Sequence, residues 1–166
     1  MDVEDAGRWL PHEPPILMLD RVIEIDPGVS GTGIRRFEPG DPCFDGHFRG
    51  RPILPGVLAI EALAQTALVV LLAEHQERLD TGDAKPPVGY LSRVREMSFQ
   101  RPIAPGQEVH FEVRVEKRLG SFFIVSGRVT HEGSLCAKGS LALGMDRQEL
   151  ETFLGEGVSP TGGGES

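Results

Sequence analysis

The sequence has few of the features that mark several common classes of protein. It contains only two cysteines, Cys43 and Cys136, so we expect reduced thiols and not a disulfide scaffold. No glycine-rich phosphate-binding pattern is present, which gives nucleotide binding no support. No uninterrupted apolar run reaches the roughly 18 residues of a membrane span. We therefore expect no insertion into a membrane.

Positive charge is also scarce. Lys and Arg total 17 against 25 Asp and Glu, for a net charge of −8. Because nucleic-acid-binding proteins present basic surfaces, we expect no nucleic-acid partner. Residues 1–5 are acidic and lack the apolar segment of a secretion signal, so we expect a cytoplasmic location.

The length of 166 residues is that of one ordinary domain. With 39% hydrophobic residues, the chain has enough apolar surface for a packed core. We expect a single domain over residues 8–148. The polar residues 1–7 and the glycine-rich residues 155–166 are expected to be disordered tails.

The clearest predicted element is a long helix over residues 55–78. Pro55 suits a first helical turn. Residues 57–73 are apolar except at Glu61, Gln65 and Thr66. A helix that is apolar on nearly every side is expected to be buried.

The second half of the sequence alternates between apolar and polar residues, which predicts half-buried strands. Since one buried helix has no other helices to cover it, the strands must form a sheet that wraps around it. This predicts an α+β domain with an antiparallel sheet. The expected strands cover residues 29–38, where Gly31 and Gly33 weaken the prediction, and residues 88–100, 109–115, 123–129 and 135–143.

One short stretch combines three groups that suit acid–base chemistry. His47 lies in a loop rich in glycine and proline that leads into the helix, and histidine exchanges protons near neutral pH. The helix start at Pro55-Gly56 offers free N–H groups that can polarise a carbonyl oxygen. Glu61 follows inside the apolar helix, where burial is expected to raise the pKa of a carboxyl group. The structural alternatives are a Glu61 on a helix face that meets solvent and a buried Glu61 held by backbone donors.

Metal binding is the competing chemistry. Cys43 and His47 have the spacing of half a zinc site. No second ligand pair of matching spacing follows, because His110, His131 and Cys136 fall on separate predicted strands. We therefore expect neither a metal nor a cofactor.

Several motifs together resemble the (3R)-3-hydroxyacyl-[acyl-carrier-protein] dehydratases of the hot-dog fold. The resemblance covers roughly residues 8–145. The matching motifs are Leu10-Pro11-His12 with Asp20-Arg21-Val22, Gly46-His47-Phe48, Gly50-Arg51-Pro52, Pro55-Gly56-Val57-Leu58, Glu61-Ala62-Leu63-Ala64-Gln65 and Phe99-Gln100-Arg101-Pro102-Ile103-Ala104-Pro105-Gly106.

The resemblance implies a catalytic pair. His47 of one subunit and Glu61 of the other would share a site at a dimer interface. Gly56 would bind the thioester carbonyl through its N–H. The related dehydratase–isomerases carry Asp at the acid position, so Glu61 favours a plain dehydratase.

The resemblance also implies the substrate contacts and the partner. Val57, Gln65 and Phe48 would line the substrate site, and Gln65, one turn beyond Glu61, would orient the acid or serve only in core hydrogen bonding. The partner would be an acyl carrier protein, which is acidic. Docking then needs a local basic patch, for which Arg49 and Arg51 are favoured over the other candidates, Arg35, Arg36, Arg93, Arg95 and Arg101. Arg49 replaces the proline usual in the family.

Two other functions stay open on the sequence alone. A thioesterase of the same fold also needs a carbonyl-polarising helix start and an acid. A dehydratase-like subunit that binds acyl chains without turnover is the alternative of another class. Fatty acid and polyketide pathways would use the same site residues. A homodimer is the minimum assembly for a shared site, and the family also forms trimers of dimers.

Overall fold

The structure is a computed structural model that describes residues 1–82 and 84–155. Six strands form one antiparallel sheet in the order β1-β2-β4-β5-β6-β3, and a long helix packs against it. The elements are β1 (Arg21–Asp26), β2 (Ser30–Arg36), α1 (Gly56–Leu72), α2 (Gln76–Asp80), β3 (Gly89–Phe99), β4 (Glu108–Leu119), β5 (Phe122–His131), β6 (Ser134–Met145) and α3 (Arg147–Leu154), with short 3-10 helices at Ala6–Arg8, Pro42–Phe44 and Ala73–His75.

The predicted helix is present but divided. The 3-10 turn Ala73–His75 separates α1 from α2. The predicted span of 55–78 is therefore helical over nearly its whole length, but it is not one continuous α-helix. The stretch Gly56–Asp80 is long and apolar enough to cross a membrane by length and composition, yet 67% of its most apolar window is buried inside the fold. Its apolar character is that of a core helix enclosed by a sheet.

Glycines in the strands allow the helix to approach the sheet closely. A Cβ on Gly33 of β2 would meet the side chain of Thr66, and one on Gly127 of β5 would lie 2.9 Å from Leu63. Both partners are fully buried on α1. Gly33, which weakened the strand prediction, and Gly127 are therefore residues that the helix–sheet packing requires.

One edge of the sheet is unusually apolar and exposed. Strand β3 pairs with β6 on one side, and its other edge has no strand partner in the described chain. Tyr90, Leu91, Val94 and Phe99 of this strand are all large exposed hydrophobic residues. An exposed apolar edge strand of this length is a site for association with another strand.

The N-terminal residues are packed, which corrects the expectation of a disordered tail at 1–7. Val3 forms paired backbone hydrogen bonds with Val22, and the N-terminal amine of Met1 donates to Ile25 O. Ala6 is fully buried. The segment is ordered because it satisfies backbone groups of β1 that would otherwise face solvent.

The core also extends past the predicted end at residue 148. Helix α3 buries Leu150, Phe153 and Leu154. Of the predicted C-terminal tail, Gly155 closes α3 through hydrogen bonds to Glu151 and Thr152. The rest of that tail, residues 156–166, lies outside the described residues.

Candidate active site

The loop before α1 is held in shape by its own backbone. Phe48 and Arg51 exchange N–H···O bonds of 3.0 and 3.1 Å. The N–H of Ile53 donates to the carbonyl of His47 at 2.8 Å. His47 therefore sits at the base of a closed turn, where its position is set by main-chain contacts on both sides.

The ring of His47 is oriented by two contacts. Its Nδ1 lies 3.0 Å from the carbonyl oxygen of Ile53. Because a carbonyl oxygen only accepts, Nδ1 carries the proton and donates it. The Phe48 ring stacks on the imidazole at a centroid distance of 4.0 Å. In the neutral ring the unprotonated nitrogen is then Nε2, which is the atom available to take up a proton.

The start of α1 provides a backbone donor beside this loop. Gly56 is the first residue of the helix, so its N–H has no acceptor within the helix and lies at the positive end of the helix dipole. A Cβ at this position would come within 2.8 Å of the Phe99 ring, which explains the glycine. The next residue, Val57, is 71% exposed.

Glu61 is held by polar contacts on one carboxylate oxygen. Gln65 Nε2 donates to Glu61 Oε1 at 2.8 Å, and His12 Nε2 lies 3.4 Å from the same oxygen. Gln65 is almost fully buried; it also donates to Ile16 O and accepts from Met18 N. Gln65 thus makes both kinds of contact that the sequence left open, one with the carboxylate of Glu61 and others with backbone groups in the core.

These contacts reverse the expected shift in the acidity of Glu61. The sequence predicted a raised pKa because of burial, whereas the pKa of Glu61 is lowered from its ordinary 4.5. The hydrogen bond from His12 is the largest cause, and it outweighs the opposing effect of desolvation; Gln65 adds to the lowering. Donors to the charged form stabilise the carboxylate more than burial disfavours it.

His12 is the site residue that sequence reasoning missed. It is not among the candidate site residues named from the sequence. The available signal was its place in Leu10-Pro11-His12, the opening motif of the family. The contact with Glu61 is made across 49 residues of chain, which local patterns do not reveal.

A small cavity of about 40 Å³ adjoins Glu61 and runs along α1 towards the start of β3. His12 and Glu61 lie at its polar part, and the remaining lining is mainly apolar. The cavity is lined by His12, Glu61, Ala64, Gln65, Leu68, Gly89, Tyr90, Leu91, Leu143 and Met145.

Within one subunit the predicted site residues form two groups. Among the described residues no hydrogen bond joins His47 to Glu61, and His47 does not line the cavity beside Glu61. Arg49 and Arg51 are exposed on the loop. The loop group is His47, Phe48, Arg49 and Arg51, and the helix group is Gly56, Val57, Glu61 and Gln65.

Other clusters of polar residues lie apart from this region. An open groove of about 350 Å³ crosses the outer face of β2, β4 and β5 and is lined by charged residues of both signs. Cys43 and Cys136 are free thiols. In residues 1–82 and 84–155, no group of three or more His, Cys, Asp and Glu side chains is arranged to hold a metal ion.

The sequence is similar to known proteins over most of its length. A model of the FabA-like domain matches residues 10–140. The chain is 37% identical over 150 residues to "3-hydroxyacyl-[acyl-carrier-protein] dehydratase FabZ" of Anaeromyxobacter sp. (strain Fw109-5), covering 90% of this chain and 93% of the relative. It is 34% identical over 138 residues to the protein of that name from Rickettsia massiliae, covering 83% of this chain and 91% of the relative.

Solved structures confirm the hot-dog fold that the sequence predicted. The Dehydratase Heterocomplex ApeI:P from Xenorhabdus doucetiae superposes with a TM-score of 0.72 at 23% identity, covering 92% of this chain and 98% of that one. The HP0420 homologue from Helicobacter felis gives a TM-score of 0.59 at 12% identity, covering 85% and 98%. At these identities the likeness is one of fold alone.

Proposed function

The chain belongs to the FabA-like family of 3-hydroxyacyl-[acyl-carrier-protein] dehydratases, and we propose that it removes water from (3R)-3-hydroxyacyl thioesters carried by acyl carrier protein. The observation that carries this proposal is one stretch of chain, residues 47–61, that supplies an oriented imidazole, a free helix N–H and a carboxylate. The products are a trans-2-enoyl thioester and water, as fatty acid synthesis requires.

We assign the role of base to His47. Because its Nδ1 donates a hydrogen bond to Ile53 O, Nε2 is the atom that removes the proton from the carbon next to the thioester carbonyl. The stacked Phe48 ring limits rotation of the imidazole. A base held in one tautomer and one orientation loses little entropy when the substrate binds.

Gly56 is assigned to the thioester oxygen. Removal of the proton shifts negative charge onto that oxygen, and the N–H at the start of α1 would donate a hydrogen bond to it. The positive end of the helix dipole adds to this stabilisation. Val57 and Phe48, both exposed in the free subunit, would border the bound thioester.

Glu61 is assigned as the acid that protonates the leaving hydroxyl, with Gln65 fixing its orientation. As the C–O bond breaks, the proton passes to the hydroxyl oxygen and water leaves. The lowered pKa of Glu61 makes the carboxyl ionised at neutral pH in the free subunit. The acid therefore needs a source for its proton.

The two groups of site residues would meet in a homodimer. His47 and Glu61 do not contact each other within one subunit, and β3 presents an unpaired apolar edge. Pairing of two β3 edges would bury Tyr90 and Val94 and would bring the loop of one subunit towards α1 of the other. In this proposal each site uses His47 of one subunit and Glu61 of its partner.

Docking of the carrier protein is assigned to the loop beside the site. The chain has a net charge of −8, so an acidic carrier needs a local positive surface. Arg49 and Arg51 are exposed on the turn that follows His47. We also propose a cytoplasmic location, where this protein would encounter the loaded carrier protein.

The proposal is tested by incubating the purified protein with a (3R)-3-hydroxyacyl carrier protein and following the carrier by intact mass. Loss of one water, slowed on the order of 10²–10⁴-fold by His47→Ala and by Glu61→Gln, is the expected result. Loss of the whole acyl group would instead indicate a thioesterase. No change in mass over a series of chain lengths would indicate a subunit without this activity.

A further inference from the structure

His12 contacts the acid of the site with one ring nitrogen and leaves the other without a partner. Its Nε2 lies 3.4 Å from Glu61 Oε1, and its Nδ1 is buried without a hydrogen-bond partner among residues 1–82 and 84–155. Buried polar atoms that serve only the fold are almost always paired. His12 is therefore poorly explained as a structural residue, because the one polar contact of its ring within the described part of the chain is with Glu61.

Apart from this pair, the residues that line the cavity offer few groups that can gain or lose a proton. Gln65 is neutral and donates to the carboxylate. The β6 residues that line the cavity, Leu143 and Met145, are apolar. On β3 the titratable neighbour is Tyr90, which in turn faces Asp146 and Glu149, and Glu13 next to His12 is exposed.

We propose that His12 is a positioning residue that shares one proton with Glu61, so that the imidazole and carboxyl together form the acid of the site. The inference rests on the proposed function. The proton lies on the imidazole in the resting pair and on the carboxyl when the hydroxyl leaves.

The proton balance of the reaction follows from this pair. His47 of the partner subunit takes the proton from carbon, and the carboxyl of Glu61 gives one to the leaving hydroxyl as the C–O bond breaks. The pair ends with a neutral imidazole and a carboxylate. Solvent then returns a proton to His12 and removes one from His47 of the partner subunit, so no other reactant is needed.

The pair explains how an acid with a lowered pKa can act near neutral pH. A carboxyl group alone with such a pKa would be almost entirely ionised there. Histidine ordinarily holds a proton to higher pH than a carboxylate does. In the proposed pair the imidazole therefore holds the proton, and the carboxyl carries it only during the reaction.

The test uses two variants that separate a proton-sharing role from a hydrogen-bonding role. His12→Gln keeps an N–H donor for Glu61 but has no proton to share, and His12→Ala removes both. In both variants we expect the alkaline limb of the pH profile of kcat/KM to move to lower pH by about 1 unit or more, with a loss of about 10-fold or more at pH about 8. A wild-type profile in His12→Gln would overturn the inference, since a donor alone would then suffice.

A second measurement needs no turnover. The side-chain carboxyl carbon of Glu61, assigned by its absence in Glu61→Gln, is followed by NMR over pH in the free protein. In His12→Ala we expect Glu61 to become protonated at higher pH than in the wild type, because the main cause of its lowered pKa is gone. An unchanged titration would overturn the inference even if the wild type dehydrates no thioester, a result that would separately overturn the proposed function.

The chain offers a matched control for both measurements. His110 Nε2 also lies 3.4 Å from a carboxylate oxygen, that of Glu108, on the surface of β4 away from the cavity. His110→Gln is expected to leave the pH profile and the Glu61 titration unchanged. Thermal unfolding of each variant verifies that it is folded at the temperature of the assays, and a shift of the profile in His110→Gln as large as in His12→Gln would overturn the assignment to His12.

Discussion

Gln65 Nε2 donates a hydrogen bond of 2.8 Å to Glu61 Oε1, one turn earlier on α1. The same amide also binds Ile16 O and Met18 N, which fastens the N-terminal segment to the helix. Gln65→Leu would leave these buried groups without partners. We expect it to lower the free energy of unfolding by about 2 kcal/mol or more, as measured by urea denaturation.

Gln76→Leu is the control for this prediction. Gln76 is exposed at the start of α2, and its amide donates to Asp80 at the surface. A change within about 0.5 kcal/mol is expected there. Equal losses in the two variants would contradict the role assigned to the buried amide of Gln65.

The lowered pKa of Glu61 predicts how stability changes with pH. Because the pKa in the folded protein lies below the ordinary 4.5, ionised Glu61 contributes stability above that pH, and the contribution is lost as pH falls through the folded-state pKa. The difference in unfolding free energy between wild type and Glu61→Gln should therefore shrink from neutral pH to pH about 3. Urea denaturation at a series of pH values measures it, and a difference that grows towards acid pH would contradict the prediction.

Gly33 of β2 is expected to be intolerant of a side chain. A Cβ there would meet Thr66, whose hydroxyl is fixed by a 2.7 Å bond to Ala62 O, and Leu19 at 2.8 Å. Gly33→Ala should cost about 1–3 kcal/mol in the free energy of unfolding. Gly40→Ala, where a Cβ meets nothing within 4 Å, is the control and should be close to neutral. Similar losses in both variants would show that α1 does not constrain β2.

The exposed edge of β3 predicts that association depends on this strand. Leu91→Lys combined with Val94→Lys places two charges on the apolar edge, and we expect this variant to be monomeric by sedimentation velocity. The control combines Leu119→Lys with Phe122→Lys, which replaces two exposed apolar residues near the β4–β5 turn. Dissociation of the control, or an unchanged mass of the β3 variant, would argue against the β3 interface.

Much of the fold could be predicted from hydrophobic periodicity. The apolar stretch identified α1, and alternation identified β4, β5 and β6. Strand β1 was missed because Glu24 has a φ of 52° within a register shift between Ile23 and Asp26, which breaks the period of two. Helix α3 carried a local signal that was not used: Asp146 caps it by accepting from the N–H of Glu149.

The site could be predicted in part. Motif resemblance selected His47, Glu61 and Gln65, and the structure adds the contacts that orient each of them. The direction of the pKa shift of Glu61 could not be predicted, because it depends on the donor His12, which is distant in sequence. Burial alone predicts a raised pKa, and only the three-dimensional contact reverses it.

The central claim is that each site is built from His47 of one subunit and Glu61 of its partner. It is tested most directly by co-expressing His47→Ala and Glu61→Gln chains with different tags and purifying the mixed dimer. Such a dimer has one intact site and one doubly altered site, so we expect about half of the wild-type dehydration rate per dimer, while each parent dimer is nearly inactive. A mixed dimer as inactive as its parents would contradict the account, since it would mean that both residues must come from the same subunit.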